Sequence, residues 1–142
     1  VLNLKRLFGL DQLPPPVDRD QRVLTDGSPV TPAHRELRPD GQQQGYVVLT
    51  EAERAKGFVR PVRRSYLHVG LGATFLATSS GYAILVNPGR NGCGTRTTMS
   101  QSIAETYARC PEFYTGTFCC ACGQHRPLDE FVWEGTQEQV GS

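Results

Sequence analysis

Apolar positions along the chain fall into short runs with frequent punctuation, and the pattern changes character near residue 45. Tyr46-Val47-Val48-Leu49 reads as a short strand, and Thr50 with Glu53 three residues on matches a capping box for a brief helix over 51–56 that stops at Gly57. Phe58 to Val69 reads as extended chain, with Pro61 pointing to an edge position. Thr74–Ala77 and Tyr82–Val86 flank Ser79-Ser80-Gly81 and predict a hairpin, closed by the turn Asn87-Pro88-Gly89. The clearest helix is predicted over 98–109: Thr98 caps it, Met99, Ile103 and Tyr107 share a face, and Pro111 ends it. Thr117 to Cys119 leads into a knuckle, and Glu130 to Trp133 predicts a last short strand.

Residues 1–45 follow another rule. Val1 to Leu10 has the spacing of a short amphipathic turn, with Leu4, Leu7 and Phe8 on one side. Pro14-Pro15-Pro16, Asp26-Gly27, Ser28-Pro29, Thr31-Pro32, Pro39-Asp40-Gly41 and Gln42-Gln43-Gln44 follow. Such chain favours polyproline II and turns. It is expected to form an extended arm lying against a surface, ahead of a small α+β domain over 46–142.

Composition adds a constraint. Hydrophobic residues make up 38% of the 142, while Gly and Pro number 15 and 10, so the core is small and needs a metal, a disulfide or a partner to hold it. The net charge of +1 gives no global pull toward nucleic acid or a membrane surface. No apolar run approaches the roughly 20 residues of a membrane span. The opening Val1-Leu2-Asn3-Leu4-Lys5-Arg6 lacks the form of a signal peptide and reads as a mature start. With an odd number of cysteines, five, the chain favours metal ligation or free thiols in a reducing compartment over a disulfide framework.

Cys119-Cys120-Ala121-Cys122-Gly123 is the sharpest signal, because a C-x-x-C turn aims two thiolates at one point. Its spacing selects Cys119 and Cys122 as ligands and leaves Cys120 as a buried free thiol. Cys93, followed by Gly94, is the best third ligand for a structural zinc ion. The fourth is His68 or His125, with Cys110 a weaker candidate. His68 is favoured because the intervening hairpin returns the chain to Cys93, whereas His125 crowds the same knuckle. Catalytic zinc patterns fit poorly: Ala104-Glu105 is preceded by Ile103, Phe118 stands where a deaminase has Pro, and no His-Glu-x-x-His occurs. The chain is therefore expected not to be an enzyme. A separate basic cluster, Arg54, Lys56, Arg60, Arg63 and Arg64, is interleaved with Phe58 and Tyr66 and suits contact with nucleic acid or with a partner protein.

Several stretches resemble a family of small tailed-bacteriophage proteins. They are Leu24 to Pro32, Gly45 to Val69, Cys93 to Met99, Ile103 to Arg109, Phe113-Tyr114, Thr117 to Cys119 and Phe131 to Glu134. The resemblance implies a zinc-ribbon-like site of His68, Cys93, Cys119 and Cys122, with 71–92 as a hairpin insert between ligands. Cys110 and Cys120 depart from the family pattern. Together with the Pro-rich arm, the resemblance favours a virion component, such as a capsid-decorating or minor head protein docked on its neighbours through the arm, in the particle or in host cytoplasm during infection. The alternative is an intracellular zinc-ribbon-like module that binds nucleic acid or a host protein.

Overall fold

The computed structural model describes residues 13–142, so the amphipathic turn expected over Val1 to Leu10 lies outside the described residues. The fold is α+β, built from short antiparallel strands and one main helix. Strand β1 (Arg22–Leu24) pairs with β2 (Val47–Leu49), and helix α1 (Glu51–Arg54) follows. Strand β3 (Ser65–His68) is the centre of a three-stranded sheet, flanked by β6 (Arg96–Thr98) and β9 (Phe131–Trp133). Between β3 and β6 stands the hairpin of β4 (Thr74–Ala77) and β5 (Ala83–Asn87). Helix α2 (Gln101–Arg109) comes next, then the hairpin of β7 (Gly116–Cys119) and β8 (Gln124–Pro127).

Strand β3 owes its place to period-two patterning. Tyr66 and His68 are buried on one face while Ser65 and Leu67 are half exposed. Tyr66 meets Phe131 and Trp133 edge-on, at centroid distances of 5.5 and 6.4 Å, and Tyr107 of α2 packs edge-on to Trp133 at 5.6 Å. Met99, Ala104, Leu128 and Val140 complete this core. The Tyr66 hydroxyl donates to the Phe118 carbonyl and accepts from Thr117 Oγ1, so β7 is fastened to the sheet through a ring.

Three local expectations are corrected. The cap of α2 is Ser100, whose hydroxyl accepts from the Ile103 N–H; Thr98 instead ends β6, and its Oγ1 bonds Ser65 Oγ at 3.0 Å. Pairing of the β-branched Thr97 and Thr98 with β3 wins over a cap that Ser100 supplies equally well. Only Ser65–His68 of the extended stretch becomes strand, and that strand is central, because Pro61 falls in the irregular lead-in. The capping box is half formed. Thr50 accepts from the Glu53 N–H, but the Thr50 N–H goes to the Gln21 carbonyl and the Glu53 carboxylate turns inward.

That inward carboxylate organises the arm. Glu53 Oε1 accepts from Arg109 Nη2 at 3.0 Å and from the Asp18 N–H at 2.8 Å, and Oε2 accepts from Lys56 Nζ at 2.7 Å. Arg109 Nη2 also donates to the Pro16 carbonyl at 2.9 Å. The Glu53 and Arg109 side chains are both fully buried. One ion pair therefore joins α1, α2 and the polyproline run. Lys56 and the Asp18 N–H, with help from Arg109, hold the Glu53 carboxyl down to about 2 against its desolvation.

A depressed carboxylate stabilises the fold fully above its unfolded value, about 4.3, and that contribution disappears as pH falls toward about 2. In Glu53→Gln the acid limb between those values should flatten. The variant should also lose about 3 kcal/mol near neutral pH, because Arg109 is left buried without its countercharge. Urea unfolding of both proteins across that pH range checks each expectation.

Candidate metal centre

Four sequence-distant side chains meet at the end of the central sheet. One ligand atom from each of His68, Cys93, Cys119 and Cys122 lies within 4.8 Å of all the others. Cys93 Sγ and Cys119 Sγ are 3.4 Å apart, as are Cys122 Sγ and His68 Nδ1.

Each arrives by a local rule. His68 ends β3 on its buried face, stacked on its cross-strand partner Phe131 at 4.6 Å and 23°. Cys93 is returned to His68 by a glycine clamp at the base of the β4–β5 hairpin. A Cβ on Gly89 would stand 2.1 Å from the Leu71 carbonyl oxygen, and one on Gly92 would stand 2.3 Å from Val69 backbone. Two backbones thus run closer than any side chain permits. The Gly94 N–H then donates to the His68 carbonyl at 2.7 Å, and the His68 N–H to the Thr95 carbonyl at 3.1 Å. Cys119 ends β7, and the turn to β8 closes through Gly123, at φ 66°, whose N–H donates to the Cys119 carbonyl at 2.9 Å. The Cys122 N–H points back at Cys119 Sγ at 3.5 Å, as a thiolate knuckle requires.

The imidazole is oriented from behind. His68 Nε2 lies 2.8 Å from Glu130 Oε1, which leaves Nδ1 facing the sulfurs. Arg126 holds both Glu130 oxygens, with Nε at 3.1 Å from Oε1 and Nη2 at 2.8 Å from Oε2. Arg126 keeps the Glu130 carboxyl below the usual range despite desolvation, with His68 helping. A carboxylate behind the distal nitrogen is the ordinary support of a metal-bound histidine, fixing its tautomer and raising its basicity. Glu130 and Arg126 are not singled out by the sequence; their only trace there is the i, i+4 spacing of opposite charges.

The thiols push one another apart electrically. Desolvation, followed by Cys119 and Cys93, pushes Cys122 up to about 12. Desolvation of Cys93 is outweighed by hydrogen bonds from Thr95, Cys119 and His68, which bring that thiol down to about 6. Crowded thiols that cannot all ionise together are a site a cation completes.

The other predicted residues lie elsewhere. His125 Nε2 is 2.9 Å from the Tyr46 hydroxyl, and burial lowers its pKa. Cys110 is buried at the end of α2, its thiol pushed up by desolvation. Cys120, expected to be buried, is exposed: the turn after Cys119 swings it outward, where its N–H donates to Thr97 Oγ1. Of the basic cluster, Arg54 pairs with Glu105, Lys56 with Glu53, and Arg63 with Glu138 while its guanidinium sits 4.9 Å over the Trp133 ring. Arg64 donates to the Met99 carbonyl, and the side chain of the exposed Arg60 donates to the neighbouring Val59 carbonyl. The cluster is largely tied into the fold.

Comparison with known protein families, curated proteins and solved structures finds no match to this chain. The geometry must carry the reading. No helix among the described residues is long and apolar enough to cross a membrane.

Replacing Glu130 with Gln keeps the shape and removes the charge behind His68. Affinity for a bound divalent metal, measured by chelator competition, should fall about 10-fold or more while the fold persists.

Proposed function

We propose that the protein is a non-enzymatic structural module stapled by one zinc ion bound to His68, Cys93, Cys119 and Cys122. The observation that carries this reading is the four-ligand cluster itself. A tetrahedron with zinc–ligand bonds of about 2.0–2.3 Å has edges of roughly 3.3–3.8 Å, and the 3.4 Å contacts across the cluster suit it. Three thiols and an imidazole favour zinc over magnesium or calcium, which take oxygen ligands. Catalytic zinc keeps a position for water or substrate, whereas four protein ligands fill the tetrahedron. Bound there, zinc would supply cross-linking of β3, the Cys93 loop and the β7–β8 knuckle.

The setting we propose is a tailed-phage particle, with the protein as a capsid-decorating or minor component. The resemblance of the stretches between Leu24 and Glu134 supports it. So does the arm, which presents exposed Leu13, Val30 and Leu37 for contact with neighbouring structural proteins. The alternative, an intracellular module that binds nucleic acid or a host protein, draws little support from Arg54, Lys56 and Arg63, whose charges are paired with Glu105, Glu53 and Glu138. Its support is an arginine-lined groove beside Tyr46.

Protein loaded with cobalt(II) should show the intense d–d absorption of a tetrahedral thiolate site, unchanged by added azide or other small anions. A weak five- or six-coordinate spectrum, or one that responds to anions, would reveal an open position and favour an enzyme. Mass spectrometry of purified particles should find the chain at a fixed ratio to the coat protein. Its presence only in infected-cell lysate would remove the virion setting and leave the zinc reading standing.

A further inference from the structure

A chain of net charge +1 has no overall attraction for a polyanion, so any such affinity must come from local concentration of charge. One face has that concentration. Two depressions, of about 740 and 420 Å³, adjoin across the hydrogen-bonded pair Tyr46 and His125 where the N-terminal arm crosses the domain. Arg19, Arg22 and Arg35 line the larger, and Arg38 and Arg96 the smaller, while Asp20 is the only carboxylate on either wall among the described residues. Arg19, Arg38 and Arg96 share their charge with Glu112, Asp40 and, at 3.4 Å, Glu134. Arg22 and Arg35 are exposed and pair with no carboxylate among the described residues. Between the cations stand Tyr46, Phe113 and Tyr114, all three half-buried, with Tyr114 packed on the core through Tyr107.

We propose that this groove binds a single-stranded polynucleotide, with Arg22 and Arg35 on phosphates and Phe113 and Tyr46 as stacking platforms for bases. Cations alternating with rings match the phosphate–base repeat of a single strand. A duplex keeps its bases stacked inside and would leave the recessed rings unused. An acidic peptide would satisfy the arginines but offers no π-faces to the rings. None of the four candidate ligands lines the groove, although Phe118 and Cys120 on either side of Cys119 do, so failure to bind a polynucleotide leaves the zinc reading standing.

Fluorescence anisotropy with labelled oligo-dT and oligo-U of about 12 nucleotides tests the proposal on the full chain. Saturable binding of at least one is expected, weakening steeply with salt. The double variant Arg22→Glu/Arg35→Glu should bind at least about tenfold more weakly, with its salt slope reduced by about 1.4, about 0.7 for each phosphate no longer neutralised. Phe113→Ala should weaken binding about tenfold with the slope unchanged, as removal of a stacking platform requires. Arg60→Glu, exposed and outside the groove, should bind like wild type. Circular dichroism establishes that each variant is folded. The proposal is overturned if neither oligonucleotide binds at about 50 mM salt, if Arg60→Glu weakens binding as much as the double variant, or if Phe113→Ala binds unchanged. Competition by polyglutamate as effective as by unlabelled oligonucleotide would equally overturn it and point to an acidic protein partner. The two oligonucleotides together tell a DNA from an RNA ligand.

Discussion

Three remote pieces of chain must end at one point: the last residue of β3, the loop after the β4–β5 hairpin, and the turn between β7 and β8. Their meeting at His68, Cys93, Cys119 and Cys122 is the constraint on which the rest of the structure depends. The strands involved have three to five residues each, too short to hold one another by ladder hydrogen bonds alone. A metal cross-link here would supply the stabilisation that a small apolar core lacks. Glu130 ties the centre to the core as well. It holds His68 through a side-chain oxygen, and its carbonyl accepts from the Gly70 N–H, so the start of β9 and the end of β3 are fixed together.

A second junction holds the arm to the two helices. Glu53 and Arg109 are buried as an ion pair; Glu53 also accepts from the Asp18 N–H, and Arg109 also donates to the Pro16 carbonyl. The polyproline run has carbonyls but no N–H groups to offer a sheet, so a side-chain donor of the domain, Arg109, meets it instead. The arm then joins the domain by β1, and its turn at Gly41 crosses the knuckle so closely that a Cβ there would stand 2.0 Å from the Gly123 carbonyl oxygen. Arm, knuckle and basic groove are thereby one neighbourhood.

Much of this was legible in the sequence where the signal was local. The β4–β5 hairpin announced itself through Ser79-Ser80-Gly81, the main helix through its apolar face and Pro111, and the knuckle through Cys119-x-x-Cys122. Cys93 and His68 were within reach because a hairpin between two candidate ligands returns the chain to its start. Thr98 misled because it is a good cap and a good strand residue at once, and only the pairing with Ser65 decides between them. Glu53 misled for the same reason: its spacing from Thr50 fits a capping box, and nothing local reveals Arg109, 56 residues away. The basic cluster was conspicuous because its members are adjacent in sequence, yet most of them serve the fold. Arg19, Arg22, Arg35, Arg38 and Arg96 share a surface only after folding, so no window along the chain displays them together.

The central claim is that the metal makes the fold. It is tested most directly by amide-resolved NMR of protein unfolded in chelator and refolded with and without one equivalent of zinc. The account predicts a dispersed native spectrum only with zinc, and collapse of the β3, β7 and β9 resonances when it is withheld. The same dispersed spectrum in both samples would contradict it.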